Sequence, residues 1–133
     1  MSVEVTVEVS QVSESASVGS ARDHRITCDR PEAKGGSDEG PMGGEVFLLG
    51  LGGCFMSNLL AAIKAREADV SEVSARIQAT LDGTPQRFTE VNMLISARYQ
   101  DRKEMEKLLV IAERGCIVAN TIKDAVRLQI SVA

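Results

Sequence analysis

Residues Glu45 to Arg66 read EVFLLGLGGCFMSNLLAAIKAR, and the eighteen positions from Val46 to Ile63 carry no charge. We read the stretch as one buried helix with Cys54 near its middle. Gly50, Gly52 and Gly53 each weaken a helix by about 1 kcal/mol relative to alanine, so something other than helix propensity must account for them. At about 100° per residue, Gly50, Gly53, Cys54, Ser57 and Ala61 share one stripe, whereas Leu48, Leu51, Phe55 and Leu59 fall largely elsewhere. A stripe of small residues lets another backbone, or a small ligand, approach the Cys54 sulfur. The plainer alternative is a tight helix crossing in which Cys54 is only a small apolar residue. A membrane span is a third reading, but eighteen residues barely reach the usual length, and Ser57, Asn58 and the glycines dilute the hydrophobicity; no membrane partner is expected. A helix apolar on nearly all faces needs cover on nearly all faces. That is more than a chain of 133 residues readily supplies, and the expectation is a homodimer.

Upstream of this helix, Val3, Val5, Val7 and Val9 alternate with Glu4, Thr6 and Glu8, the period of a half-buried strand. Ser13 to Gly19 and Arg25 to Asp29 are two further candidate strands, which makes the amino-terminal third an antiparallel meander. His24, the only histidine, lies in ARDHR and reads as a surface turn residue. Pro31 to Gly44, PEAKGGSDEGPMGG, has no periodicity and is a loop, either a flap beside the helix or a plain linker. It is no phosphate cradle: no Gly-Lys-Ser/Thr follows, and Asp38 and Glu39 would repel a phosphate.

Downstream, Val73 to Leu81 and Val91 to Tyr99 alternate on either side of the turn DGTPQR, so two long strands should pair antiparallel. Asp101 with Glu104 reads as a helix cap, Met105, Leu108, Leu109 and Ala112 as the buried face that follows, and Gly115 as the stop. Cys116 comes next, at the start of a short helix over Val118 to Val126, and Val126 to Val132 closes the chain as a strand. The fold class is α+β in a single domain, 1–133: amino-terminal strands in 1–30, the loop in 31–44, the central helix in 45–68 and β-β-α-α-β in 70–133.

The composition, 44% hydrophobic and 26% charged, is that of an ordinary globular domain. A net charge of −4 and only four aromatic residues supply no basic stripe for phosphates, so nucleic acid is not an expected partner. The first twenty residues alternate polar and apolar and are not read as a secretory leader. Three cysteines in such a chain fit a reducing, cytoplasmic compartment, where a thiol is catalytic, redox-active or inert rather than part of a disulfide framework. One histidine and no Cys-x-x-Cys leave zinc and thioredoxin-type chemistry without support; no metal and no cofactor are expected. The thiolate is the reactive form. Cys54, inside an apolar helix, should be held neutral unless a cation such as Arg22, Arg25 or Arg30 reaches it, whereas Cys116, near a helix start, should gain from the dipole.

GPMGGEVFLLGLGGCF, from Gly40 to Phe55, followed 62 residues after Cys54 by GCIVANTI, from Gly115 to Ile122, resembles the two cysteine signatures of the OsmC family, the osmotically inducible and organic-hydroperoxide-resistance proteins. The order of strands and helices agrees over almost the whole chain. The resemblance implies an OsmC-like intertwined homodimer that acts as a thiol-dependent peroxidase on organic hydroperoxides. In it Cys54 would attack the peroxide, Cys116 would resolve the sulfenic acid as a disulfide, and a dithiol reductant of lipoyl or other type would restore the thiols. It also implies a carboxylate upstream of the first cysteine, Glu45, and an arginine from the amino-terminal strands, Arg22 or Arg25. Cys28 has no counterpart in either signature and reads as a bystander. The family's hydroperoxide-resistance branch has its glutamate ten residues before the cysteine, where this chain has Gly44, and the usual preceding proline is absent. On an unbroken helix the nine residues from Glu45 to Cys54 turn through about 900°, onto the far side. The rival reading is a non-catalytic relative that binds a small apolar ligand in the dimer crevice.

Overall fold

The computed structural model describes all 133 residues, and the chain divides into two compact units, 1–47 and 48–133. In the first, β1 (Glu8–Gln11), β2 (Ser17–Ala21) and β3 (His24–Cys28) form an antiparallel meander in that order. The alternation that begins at Val3 predicts a longer first strand than this. Glu8 pairs with Ser20, and β2 ends one residue later at Ala21, so the hairpin has no ladder to offer the residues before Val7. Val3, Val5 and Val7 are exposed. Alternation marks the residues fit for a strand, but only a neighbour makes them one. At the β2–β3 turn Arg22 adopts φ 57°, a left-handed conformation that costs a non-glycine residue roughly 1–2 kcal/mol.

The Pro31–Gly44 loop holds a short 3-10 turn, Glu32–Lys34, and is organised by Asp29, which is only 4% exposed. Its carboxylate accepts the backbone N–H groups of Arg30 (2.7 Å), Ser37 (3.1 Å) and Glu39 (3.2 Å), while its own N–H donates to the Pro41 carbonyl (3.1 Å). Burial alone would raise the Asp29 pKa. The N–H groups of Glu39, Arg30 and Ser37 and the Ser15 side chain outweigh it and hold the carboxyl below the ordinary carboxylate range. A carboxyl whose folded pKa is depressed stabilises the fold above its unfolded pKa and loses that contribution as pH falls through the folded value. The protection of the Ser37 and Glu39 amides against hydrogen exchange, measured relative to the intrinsic rate at each pH, should therefore be high at neutral pH and fall on acidification below about pH 4. Asp29→Asn should exchange faster already at neutral pH, with a flatter acid dependence.

The second unit begins within α1 (Gly43–Ala65) and continues through β4 (Val70–Asp82), β5 (Arg87–Tyr99), α2 (Arg102–Gly115), α3 (Ile117–Ile122) and β6 (Arg127–Val132). The end of α1 carries no glycine. It closes with Glu67 at φ 50°, the Glu67 N–H bonding to Lys64 (3.2 Å) and the Ala68 N–H to Ile63 (3.0 Å), so the last carbonyls are satisfied by a Schellman turn built on a glutamate. The β4–β5 hairpin is antiparallel as expected, with a bulge between Ser71 and Ser74 where Glu72 takes φ 54°. The direction of the last strand is not given by the alternation: β6 lies parallel to β5, Glu90 opposite Arg127 and Ile95 opposite Val132. After β5 the chain returns through α2 and α3 before it can pair, and such a crossover delivers a strand running in the same direction.

One core results. Leu51, Phe55 and Leu59 of α1, Val91, Met93 and Ile95 of β5, and Met105, Leu108 and Ala112 of α2 are all buried. The period of two along β5 and of three to four along α2 are thus both realised. By length and hydropathy α1 would cross a membrane, yet its Leu51, Phe55, Leu59 and Ala62 stripe is built into this core. The helix is not buried on all faces as expected: Leu49 is 62% and Leu60 51% exposed, because this unit covers one side only.

Candidate active site

Two thiols meet in the second unit. Cys54 is partly buried along α1, and Cys116 is fully buried at the junction of α2 and α3. Cys116 closes one helix and opens the next: its N–H donates to Glu113 (3.1 Å), its Sγ accepts the Ala119 N–H (3.4 Å) and its carbonyl accepts the Asn120 N–H (2.9 Å). The Asn120 side-chain amide donates back to Arg114 (3.1 Å), tying α3 to the end of α2. The Cys116 thiol is hydrogen-bonded to the Cys54 sulfur, so the chain brings residues 62 positions apart within reach of each other.

The electrostatics reverse the expectation from sequence. Burial pushes the Cys54 thiol up, but the backbone N–H groups of Val118 and Ile117 and the Cys116 thiol all point at its sulfur, and together they bring its pKa below the ordinary thiol value. Cys116 goes the other way. Burial raises it, the neighbouring Cys54 raises it further, and the Ala119 and Val118 N–H groups only partly offset this. The start of α3, which sequence reasoning credits to Cys116, thus serves the other sulfur: a helix's first N–H groups have no partner inside the helix, and here two of them face across to α1. Nothing in the side-chain sequence announces Ile117 and Val118, since only their backbone acts.

Within this unit the glycines of the small-residue stripe are left open. A β-carbon at Gly50 or Gly53 would meet nothing within 4 Å in this unit, and Gly53, Ser57 and Ala61 are exposed, whereas Gly52 is the glycine in contact, its missing β-carbon leaving room for Ile77 Cδ1 at 2.6 Å.

The remaining residues expected at the site lie in the 1–47 unit. Arg22 is at the β2–β3 turn and Arg25 on β3. Glu45 is in the first turn of α1, where its carboxylate accepts the Met42 N–H (2.8 Å) and so serves the helix start. Because α1 is continuous from Gly43, Glu45 lies about two and a half turns before Cys54, on the opposite side of the helix. Cys28 ends β3, opposite Ser17. The groups acting on the Cys54 sulfur all come from α3 and Cys116.

The fold has counterparts among known proteins. The profile of the family described as OsmC-like protein matches residues 36–131. No curated protein matches the sequence. Among solved structures, a putative osmotic stress induced and detoxification response protein from Psychrobacter arcticus superposes with a TM-score of 0.85 at 16% identity, over 100% of this chain and 98% of that one. An organic hydroperoxide resistance protein OsmC from Legionella pneumophila gives 0.75 at 20% identity, over 98% and 97%. An organic hydroperoxide resistance protein from Elizabethkingia anophelis gives 0.74 at 17% identity, over 100% and 99%. At such identities the likeness is one of fold.

Proposed function

The chain belongs to the OsmC-like family, and from that premise we propose that it is a two-cysteine peroxidase that reduces organic hydroperoxides in defence against oxidative stress. One observation carries the reading: the Cys54 sulfur, with its depressed pKa, sits against the thiol of Cys116. Cys54 attacks as thiolate because the Val118 and Ile117 amides stabilise that form. Its sulfur bonds to the distal peroxide oxygen, the O–O bond breaks, and the alkoxide takes a proton and leaves as alcohol. Cys54 is then a sulfenic acid. The Cys116 sulfur, already adjacent, attacks it; a disulfide forms and the sulfenic oxygen leaves as water. A dithiol from outside reduces the disulfide by exchange. The cycle runs on protein thiols, without metal or bound organic cofactor. On the family likeness alone, one of Arg22 and Arg25 holds the thiolate, the relevant arginine being the one whose replacement by alanine slows the attack, while Glu45 acts indirectly by fixing the start of α1. A cytoplasmic setting follows from the need for reduced thiols.

One equivalent of organic hydroperoxide added to reduced protein should yield an intrachain Cys54–Cys116 disulfide by mass spectrometry, and Cys116→Ser should hold Cys54 as a sulfenic acid. If neither species forms and the thiols react no faster than free cysteine, the peroxidase reading fails in favour of a module that binds a small apolar ligand.

We further propose a homodimer. Val9 (69%) and Ile26 (53%) of the first unit and Leu49 and Leu60 of the second are exposed apolar residues on regular elements, and a second copy would cover them. Light scattering should give twice the chain mass at micromolar concentration; a stable folded monomer would count against it.

A further inference from the structure

Asn58 stands one turn after Cys54 on α1 and touches both sides of the thiol pair. Its Nδ2 donates to the Cys54 carbonyl at 2.9 Å. Its Oδ1 occupies the space beside Gly115 that a side chain there would need: a β-carbon on Gly115 would lie 2.6 Å from it. Gly115 directly precedes Cys116 and has no left-handed φ. A side chain there would have to displace the Asn58 amide and with it the bond to the Cys54 carbonyl. One end of the amide is thus held to the backbone of the first cysteine and the other abuts the residue before the second.

We propose that Asn58 is a positioning residue for the resolving step, a spacer that fixes how closely the Gly115–Cys116 segment lies against α1 at Cys54. The proposal rests on the peroxidase reading and concerns its second half: Cys54–SOH and Cys116–SH give the disulfide and water. Attack on the peroxide depends on the Cys54 sulfur and on the Ile117 and Val118 N–H groups, whose electrostatic support of the thiolate falls off only gradually with distance. Resolution needs the Cys116 sulfur aligned on the Cys54 sulfur, and a displacement of about 1 Å from such alignment costs on the order of 100-fold in rate.

The two steps separate in time on rapid mixing of reduced protein with one equivalent of an organic hydroperoxide, with sulfenic acid followed by a dimedone-type trap and disulfide by mass spectrometry. Asn58→Ala should slow disulfide formation about tenfold or more and leave sulfenic acid formation within about threefold of wild type. Gly115→Ala, which drives a methyl group into Asn58 Oδ1, should slow the same step. In the double variant the methyl group enters the vacated space, so resolution should be faster than in either single variant, a coupling that independent effects do not produce. Asn58→Ser, a smaller change, stands in if Asn58→Ala does not fold. Resolution within twofold of wild type in the Asn58 variant overturns the proposal, as does an equal slowing of both steps, which marks a general role in folding, or additive effects in the double variant. A wild-type protein that forms no sulfenic acid overturns the peroxidase reading itself, an outcome distinct from the other three.

Discussion

Cys54→Ser should lower peroxide consumption by on the order of 10³-fold or more, the scale of loss when a covalent nucleophile is removed. The serine hydroxyl is a slightly smaller group that still accepts hydrogen bonds, so the Val118 and Ile117 amides and the Cys116 thiol keep a partner. What disappears is the anion, because a hydroxyl does not ionise near neutral pH. Cys28→Ser, at the end of β3 and away from both signatures, should stay within a few-fold of wild type. A Cys28→Ser loss as large as that of Cys54→Ser would move the chemistry elsewhere. The same argument orders the thiols by pH: as pH rises from 6, alkylation should reach Cys54 below the ordinary thiol range and Cys116 only above it.

The largest expected effect on stability comes from the next residue. Phe55 has no exposed surface and lies in the cluster that joins α1, β5 and α2. Phe55→Ala should cost about 3–5 kcal/mol through lost burial and the cavity left behind. Domains of this size are stable by about 5–15 kcal/mol, so the variant should unfold at markedly lower denaturant or not accumulate at all. Chemical denaturation checks this, and a shift below about 1 kcal/mol would mean that the core does not close on Phe55 as described. Neighbouring positions on one helix thus separate cleanly, since Cys54→Ser should keep its denaturation midpoint while losing its chemistry.

Much of this was legible in the residues, and the exceptions share a cause. The buried face of α2 followed from Asp101, whose carboxylate does accept the Lys103 and Glu104 N–H groups (2.9 and 3.4 Å), and from the spacing of Met105, Leu108, Leu109 and Ala112. The two cysteine signatures contain the two sulfurs that the structure brings together. What stayed hidden was work done by backbone groups and by distant partners. The end of α1 is a left-handed Glu67, where a glycine would have announced it. The loop after β3 is gathered by Asp29 from residues up to twelve positions on, and no local pattern reports that. The direction of β6 depends on where α2 and α3 return the chain. The balance between the thiols turns on which sulfur two amides face, and position in a sequence carries no information on facing.

The parallel pairing of β6 also orders events in time. The β4–β5 hairpin closes across Gly83 to Gln86, whereas β5 and β6 pair residues 37 apart, Glu90 with Arg127. Closing the longer segment costs about 2 kcal/mol more in chain entropy than the tight turn, and contacts at such separation form late. The junction that carries Cys116 lies inside that late-closing segment, so during synthesis Cys54 emerges and its hairpin forms while its partner thiol is still unplaced. Refolding of reduced protein should therefore show secondary structure before the two sulfurs can be linked by an oxidant, and the speed of that linkage reports when the last strand has docked.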